Sequence, residues 1–390
     1  MLIEHDPYHC YMPYPPVPVE NAPDGPLAGL TLGVKDIYDV AGYRTGCGCP
    51  IRLAMSDIKT ATAPAIQALL DAGAAFNGKL HTDELAWSMY GMNAHFGMPV
   101  NPNAPGRIPG GSSSGSGAAC AGGLADITVG SDTGGSVRAP ASFCGTWGIR
   151  PTHGLISLDG VMPLAPSYDT CGLFARDGAT LLRALSVLLS DSAPLPDAPR
   201  LLKSPEMFDH LGADQRAATE AAFDGVTARD VALYPDGMDA AYATFLASMG
   251  GDAQKHIVPF IRDSNMPLVR GIDGRAAAAE ALSAGDIARA EAQRTAFAAH
   301  VDAALGGDGV VLAPVVHDVA FAPDAPLEIF DNFRHISQRM LCVAGLAGLP
   351  QVTWPAGMLN GAPWGVSLIG PRGSDLSLVR LAMTLQKDTA

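Results

Sequence analysis

Residues Gly110 to Thr152 read GGSSSGSGAACAGGLADITVGSDTGGSVRAPASFCGTWGIRPT. Two glycine–serine clusters stand out: Gly110-Gly111-Ser112-Ser113-Ser114-Gly115, and Thr133-Gly134-Gly135-Ser136. Between them lie a small-residue segment, Ala118 to Ala125, and a short β-prone run, Ile127-Thr128-Val129. Glycine lets the backbone turn its N–H groups inward and approach a ligand closely, and neighbouring hydroxyls supply nucleophiles, proton relays or donors. A flexible linker would not be interrupted by Ile127, Val129, Phe143 and Trp147, which read as buried. The clusters therefore read as ligand loops at the ends of short buried segments, the usual placement in an α/β fold.

Composition narrows the classes. The 390 residues are 48% apolar and only 16% charged, which points to a large core and excludes a disordered chain. A net charge of −14 argues against general binding to nucleic acid or an anionic membrane. The seven cysteines are scattered and follow neither a disulfide framework nor a zinc ribbon, so they read as reduced core thiols of a cytoplasmic protein. Cys47-Gly48-Cys49 lacks the CxxC spacing of a redox or metal motif. The start has neither the charge nor the apolar run of a signal peptide, and no apolar stretch reaches bilayer length.

Taken in order, residues 1–25, rich in Pro and Tyr, read as a surface arm. Gly29 to Val34 reads as a strand with Lys35 at its end. Ala63–Ala72 reads as a helix and Ala74–Phe76 as a second strand. Residues 154–176 read as loop and Ala179–Leu189 as a helix. Ser190–Pro199 (SDSAPLPDAP) reads as a linker. The Ala-rich stretch 201–305 is helical in pattern, with Ile287, Ala290, Arg294, Phe297 and Val301 forming a core stripe. Strands are then expected at Val310–Pro314, Leu349–Pro355 and Trp364–Gly370. Helices are expected at Phe333–Ala347 and Leu376–Gln386, so the C-terminal part returns to the sheet.

The familiar motifs fail. No Lys follows the first cluster as a P-loop requires, the dinucleotide fingerprint is incomplete, and no HExxH occurs. Arg138 stands where a nucleophile elbow has its last glycine. A serine nucleophile still needs a base. With no histidine in the motif, a lysine is the natural candidate, provided it is neutral. Its ordinary pKa of about 10.4 would have to fall by roughly 3 units, a bias near 4 kcal/mol that burial can supply. Lys35, at the end of an apolar strand, has that setting, and Lys79 is the rival. The residues alone thus suggest Ser/Lys acyl transfer, with glycine N–H groups to hold a developing oxyanion.

At this point the sequence resembles the amidase signature family. Gly110–Gly115, Gly130-Ser131-Asp132-Thr133-Gly134-Gly135-Ser136-Val137-Arg138-Ala139-Pro140 and Phe143–Thr152 follow its hallmark without a gap. Gly33-Val34-Lys35-Asp36 matches its lysine motif, while Gly345–Pro350 and Ser367–Gly370 match its C-terminal pattern. The likeness covers about 25–180 and 340–386. Asn93–Gly97 and Ser167–Gly172 are similar to compact single-domain amidases such as indole-3-acetamide hydrolases.

The resemblance implies a central mixed β-sheet covered by helices on both faces. A single amidase domain would span 26–390: a signature core at about 26–190, a variable helical region at about 200–305, and a C-terminal return at about 306–390. It further implies a Ser–cis-Ser–Lys triad: Ser136 as acylated nucleophile, Ser112 as bridging serine after a cis peptide, and Lys35 as base. Backbone N–H groups of Thr133, Gly134, Gly135 and Ser136 would form the oxyanion hole, with Ser113, Asp132 and Arg138 in support. Thr82, where many relatives carry Met, and Trp87 would mark the acyl pocket. His81 and His95 read as ordinary hydrogen-bonded histidines. No metal or organic cofactor is implied. The implied activity is amide hydrolysis to acid and ammonia, with a small-molecule substrate and a homodimer as the assembly left open. The alternatives are the amidase subunit of a glutamine-dependent tRNA amidotransferase and a catalytically silent scaffold subunit.

Overall fold

The computed structural model describes residues 5–265, 267–269 and 271–387. Ten strands form one mixed sheet: β1 (Thr31–Lys35), β2 (Ala75–Leu80), β3 (Ile127–Asp132), β4 (Trp147–Arg150), β5 (Thr170–Ala175), β6 (Arg200–Lys203), β7 (Arg229–Asp230), β8 (Gly309–Pro314), β9 (Gln351–Leu359) and β10 (Ala362–Ile369). Their order is β2-β1-β3-β5-β4-β9-β10-β8-β6-β7. β1 runs parallel to both β2 and β3, and β6 runs parallel to β7 and β8. The pairings from β3 through β5, β4, β9 and β10 to β8 are antiparallel.

The central strands are buried throughout, which is why they read as near-continuous apolar runs without alternation. That absence of period hides β5. Thr170–Ala175 (TCGLFA), expected as loop, is a fully buried strand between β3 and β4. The stretch expected to be helical begins with β6 and contains β7, so the sheet reaches into it. Its later part carries the helices Met238–His256, Val258–Ser264, Ile272–Glu280 and Ala284–Leu305, and Ala290, Phe297 and Val301 of the expected stripe are buried.

Between the Gly/Ser clusters the chain forms a helix, Ser114–Ala121, without a single large side chain. Its bareness permits close packing: a Cβ on Gly117 would lie 3.2 Å from Pro140 of the helix Arg138–Cys144. Residues 190–199 are coil, and their ends are tied down. Ser192 and Ala193 donate to the Gly373 carbonyl, and the Asp191 carboxylate caps the helix Asp375–Leu385 through the N–H groups of Leu376 and Ser377.

The N-terminal segment does more than run over the surface. Met12 N–H donates to the Lys79 carbonyl, and the Cys10 carbonyl accepts from His81 N–H. Cys10 and Met12 are buried against β2 and its neighbours. All seven cysteines are buried thiols. Cys49 accepts the Arg52 N–H at its Sγ and so caps the short helix Pro50–Met55. Among the described residues no helix is long and apolar enough to cross a membrane.

Candidate active site

The parallel pair β1 and β3 brings two strand ends side by side: Val34 pairs with Val129, and the chains continue to Lys35 and to Ser131-Asp132. The loops carrying both clusters rise from this edge. The first reaches the helix Ser114–Ala121 through a cis peptide between Gly111 and Ser112. A Cβ on Gly111 would stand 2.4 Å from the Asp83 carboxylate, so only glycine fits there.

The Lys35 ammonium nitrogen touches hydroxyls alone. Its Nζ lies 2.8 Å from Ser112 Oγ, 3.0 Å from Ser113 Oγ and 2.8 Å from Ser131 Oγ, and its side chain is fully buried. Among the described residues no carboxylate lies within ion-pair distance of it. Burial pulls its pKa down to about 7, against the opposing pull of Asp83, Asp132 and Asp169 at longer range. Lys79, the rival, is also buried but sits 3.1 Å from Asp36 Oδ1 and donates to the Tyr38 carbonyl. Tyr14 donates its hydroxyl to the other Asp36 oxygen at 2.5 Å. Lys79 thus belongs to a closed structural pair.

Ser136 sits at the end of the second cluster, and its carbonyl accepts the Ser113 N–H at 3.3 Å. One hydrogen bond therefore joins the loop of Ser136 to the turn of Ser112. Asp132 organises that loop. It accepts Gly135 N–H (2.9 Å), Val137 N–H (3.1 Å) and Arg138 N–H (3.3 Å). Its oxygens also pair with Arg138 at 2.7 Å and Arg150 at 3.2 Å. These two guanidinium groups hold the carboxyl well below the usual carboxylate range despite its burial. Arg138 extends the network to the Leu341 carbonyl and Gln351, which in turn donates to Ser367. Gly135 takes φ +121°, and its N–H points at Asp132. Of the four N–H groups expected for an oxyanion hole, those of Thr133, Gly134 and Ser136 remain.

Thr133 Oγ1 donates to Asp169 at 2.5 Å, while the other Asp169 oxygen accepts the N–H groups of Leu164 and Ala165. Burial pushes the Asp169 carboxyl up. The sequence carries no separate signal for Asp169, nor for Ser131, the third hydroxyl on Lys35.

A narrow cleft of about 20 Å³ opens beside Ser136. Trp87 lines it together with Thr133, Gly134, Met249, Arg334 and Gln338. Thr82, expected in the pocket, is not among its lining residues. It is buried, and its Oγ1 donates to the carbonyl of Ser112 at 3.0 Å, bracing the cis turn from behind. Two non-glycine residues at positive φ, Leu85 (55°) and Ala86 (57°), turn the chain so that Trp87 forms part of the wall. His81 is hydrogen-bonded to Ser114, and His95 to the Pro267 carbonyl, outside the cleft. Arg334 and Gln338 carry no motif. Their only signal is the i,i+4 spacing of two long polar side chains on the helix Leu327–Ala347, which also carries Glu328, Asp331, His335 and Arg339.

Residues 17–249 match the sequence profile of the Amidase family, and the chain belongs to that family, whose members act on amide C–N bonds. It is 35% identical to "Amidase 1" of Oryza sativa subsp. japonica, over 95% of this chain and 92% of that protein. It is 31% identical to a glutamyl-tRNA(Gln) amidotransferase subunit of a Synechococcus strain, over 92% of this chain and 83% of that one. A solved amidase crystal structure superposes with a TM-score of 0.82 at 27% identity, covering 93% of this chain and 85% of that chain.

Proposed function

We propose that this amidohydrolase cleaves a small carboxylic acid amide to the acid and ammonia through an acyl-enzyme on Ser136, with Ser112 as relay and Lys35 as base. The observation that carries the reading is the hydroxyl-only environment of Lys35. An amine buried without a carboxylate gives up its proton near neutrality, and a neutral amine can accept one.

Neutral Lys35 takes the proton of Ser112 Oγ as Ser112 takes that of Ser136. The Ser136 oxygen then bonds to the amide carbon, and the carbonyl oxygen becomes an oxyanion facing the N–H groups of Thr133, Gly134 and Ser136. When the C–N bond breaks, the relay hands its proton to the departing nitrogen, which leaves as ammonia. Water attacks the ester by the same relay, giving the acid and restoring Ser136. In this reading Asp132 and Arg138 fix the loop without touching substrate, and Ser113 holds both Lys35 and the Ser131 carbonyl in register.

Labelling with a fluorophosphonate, read by intact mass, together with ammonia release from a panel of small amides tests the assignment. Wild-type protein should take one label and release ammonia, and Ser136→Ala should do neither while keeping its circular dichroism. Undiminished turnover in Ser136→Ala would remove Ser136 from the chemistry.

A further inference from the structure

The cleft beside Ser136 carries a cation but no acid in its lining. Arg334 lines it, part-buried on the helix Leu327–Ala347, and none of the lining residues is Asp or Glu. The Arg334 guanidinium lies within hydrogen-bonding reach of the phenol oxygens of Tyr90 and Tyr242, whose own hydroxyls donate to the Phe330 carbonyl and to Gln338. A second guanidinium, Arg275, stands behind the wall. One of its terminal nitrogens donates to the Trp87 carbonyl at 2.5 Å, and its Nε is shielded from solvent with no partner. Trp87 Nε1, on a residue that lines the cleft, is shielded and unpartnered as well. Among the described residues, neither Arg275 nor Arg334 forms an ion pair. Asp83 is the carboxylate whose field reaches Arg275. It accepts Gly91 N–H and lies behind the cis turn, away from the lining.

A guanidinium in the lining without an ion pair, with two shielded and unpartnered donors on the residues at and behind the same wall, stands out in a chain of net charge −14. Shielded polar groups without partners cost free energy unless something fills their demand. We infer that the cleft takes an amide whose acyl part also bears a carboxylate, the monoamide of a short dicarboxylic acid, with Arg334 receiving the carboxylate. The inference rests on the amidohydrolase reading above for the fate of the amide end, but not for the binding of the acid end. A planar guanidinium matches a carboxylate through two parallel hydrogen bonds, and a narrow cleft strengthens the pair by excluding water. A cationic acyl group meets repulsion at the same wall. A neutral one leaves the guanidinium groups unmatched.

Titration calorimetry on Ser136→Ala, which holds ligand without turnover, separates the cases. The probes are succinamate and glutaramate against their uncharged isosteres, butyramide and pentanamide. The acids should bind about 10- to 100-fold more tightly, as expected for hydrogen bonds to a charged partner. Adding Arg334→Gln should collapse that ratio toward one, and Arg334→Lys should keep part of it. Isosteres that bind as tightly as the acids would overturn the inference, as would a ratio that survives Arg334→Gln. If the acids bind as expected yet wild-type protein releases no ammonia from them or from any neutral amide, the hydrolase reading fails and the carboxylate site stands. Hydrolysis of neutral amides with no preference for the acids has the opposite meaning.

Discussion

Lys35 and Lys79 lie on adjacent parallel strands one step out of register. Lys35 pairs with Leu80 and Lys79 with Val34, so their side chains leave the sheet on opposite faces. One face presents Asp36 and the Tyr38 carbonyl, and the amine there is held in an ion pair. The other presents three serine hydroxyls and no carboxylate. The same residue type, equally buried, thereby becomes a strut in one place and a candidate base in the other.

The first prediction follows from that asymmetry. Lys35 accepts a proton only when neutral, and its pKa is lowered to about 7. At saturating buffer, kcat/KM should rise about tenfold per pH unit below neutrality and level off above it. Stability is linked with the same sign. The unfolded chain holds the Lys35 proton up to about 10.5 and the folded chain releases it near 7, so the unfolded state binds more protons in between. Stability from this group is full above 10.5 and lost as pH falls through that window toward 7. The unfolding free energy of wild type relative to Lys35→Met should therefore increase with pH between 7 and 10.5. A flat difference, measured by urea denaturation at several pH values, would mean that the folded lysine keeps its proton.

Asp132 supplies the second. Its carboxylate faces two buried guanidinium groups and three backbone N–H groups, so Asp132→Asn leaves Arg138 and Arg150 buried with their charge uncompensated. Breaking a buried pair from one side costs about 3–5 kcal/mol. The expected result is a clear drop in the denaturation midpoint together with loss of turnover. The pH sign is opposite to that of Lys35. The folded carboxyl is held below its ordinary value, so its contribution is present above that value and lost as pH falls below it. An Asp132→Asn protein as stable as wild type at pH 7 would show that the network is dispensable.

Much of the site is legible in the sequence because glycine and hydroxyl clusters announce backbone that must approach a ligand. Lys35 is legible because a lysine at the end of an apolar run has nowhere to go but inward. The structure places Lys35 and Ser112 in hydrogen-bond contact. It moves Thr82 from the pocket to the back of the cis turn, a distinction that needs the neighbours of the hydroxyl and not its position in the chain. β5 is hidden for a physical reason. A strand buried on both faces has no period-two alternation, and the glycine inside Thr170–Ala175 reads as a loop signal. Arg334 and Arg275 come from helical parts of the chain, where charged residues read as a solvated face until folding brings Arg334 into the lining beside Ser136 and sets Arg275 behind Trp87.

Thr82 and Trp87 should separate cleanly. Thr82→Val keeps the shape and removes the hydroxyl that donates to the Ser112 carbonyl. Losing one buried hydrogen bond costs about 1 kcal/mol and loosens the relay, so kcat should fall several-fold with KM little changed. Trp87 lines the cleft, so Trp87→Phe should move KM and the ranking of amides by acyl group. The comparison is a steady-state series on three or more amides. A KM effect from Thr82→Val with none from Trp87→Phe would reverse the two roles.

Gly135 makes the last prediction. It adopts φ +121°, a conformation that side-chain-bearing residues rarely enter, and a Cβ there would lie 2.6 Å from Leu341 Cδ1. Gly135→Ala therefore meets both backbone strain and a collision, with the strain alone costing about 1–3 kcal/mol. The residue also presents its N–H to Asp132, so a shift of the loop drags Thr133, Gly134 and Ser136 out of their arrangement. Turnover should fall by about 10²-fold or more, in line with the loss of an oxyanion donor. Pairing the change with Leu341→Ala distinguishes the two causes. The smaller side chain clears the space without changing φ, so it should restore part of the stability and little of kcat. Full recovery of kcat in the double variant would mean that packing against Leu341, and not the backbone conformation, sets the position of the Ser136 loop.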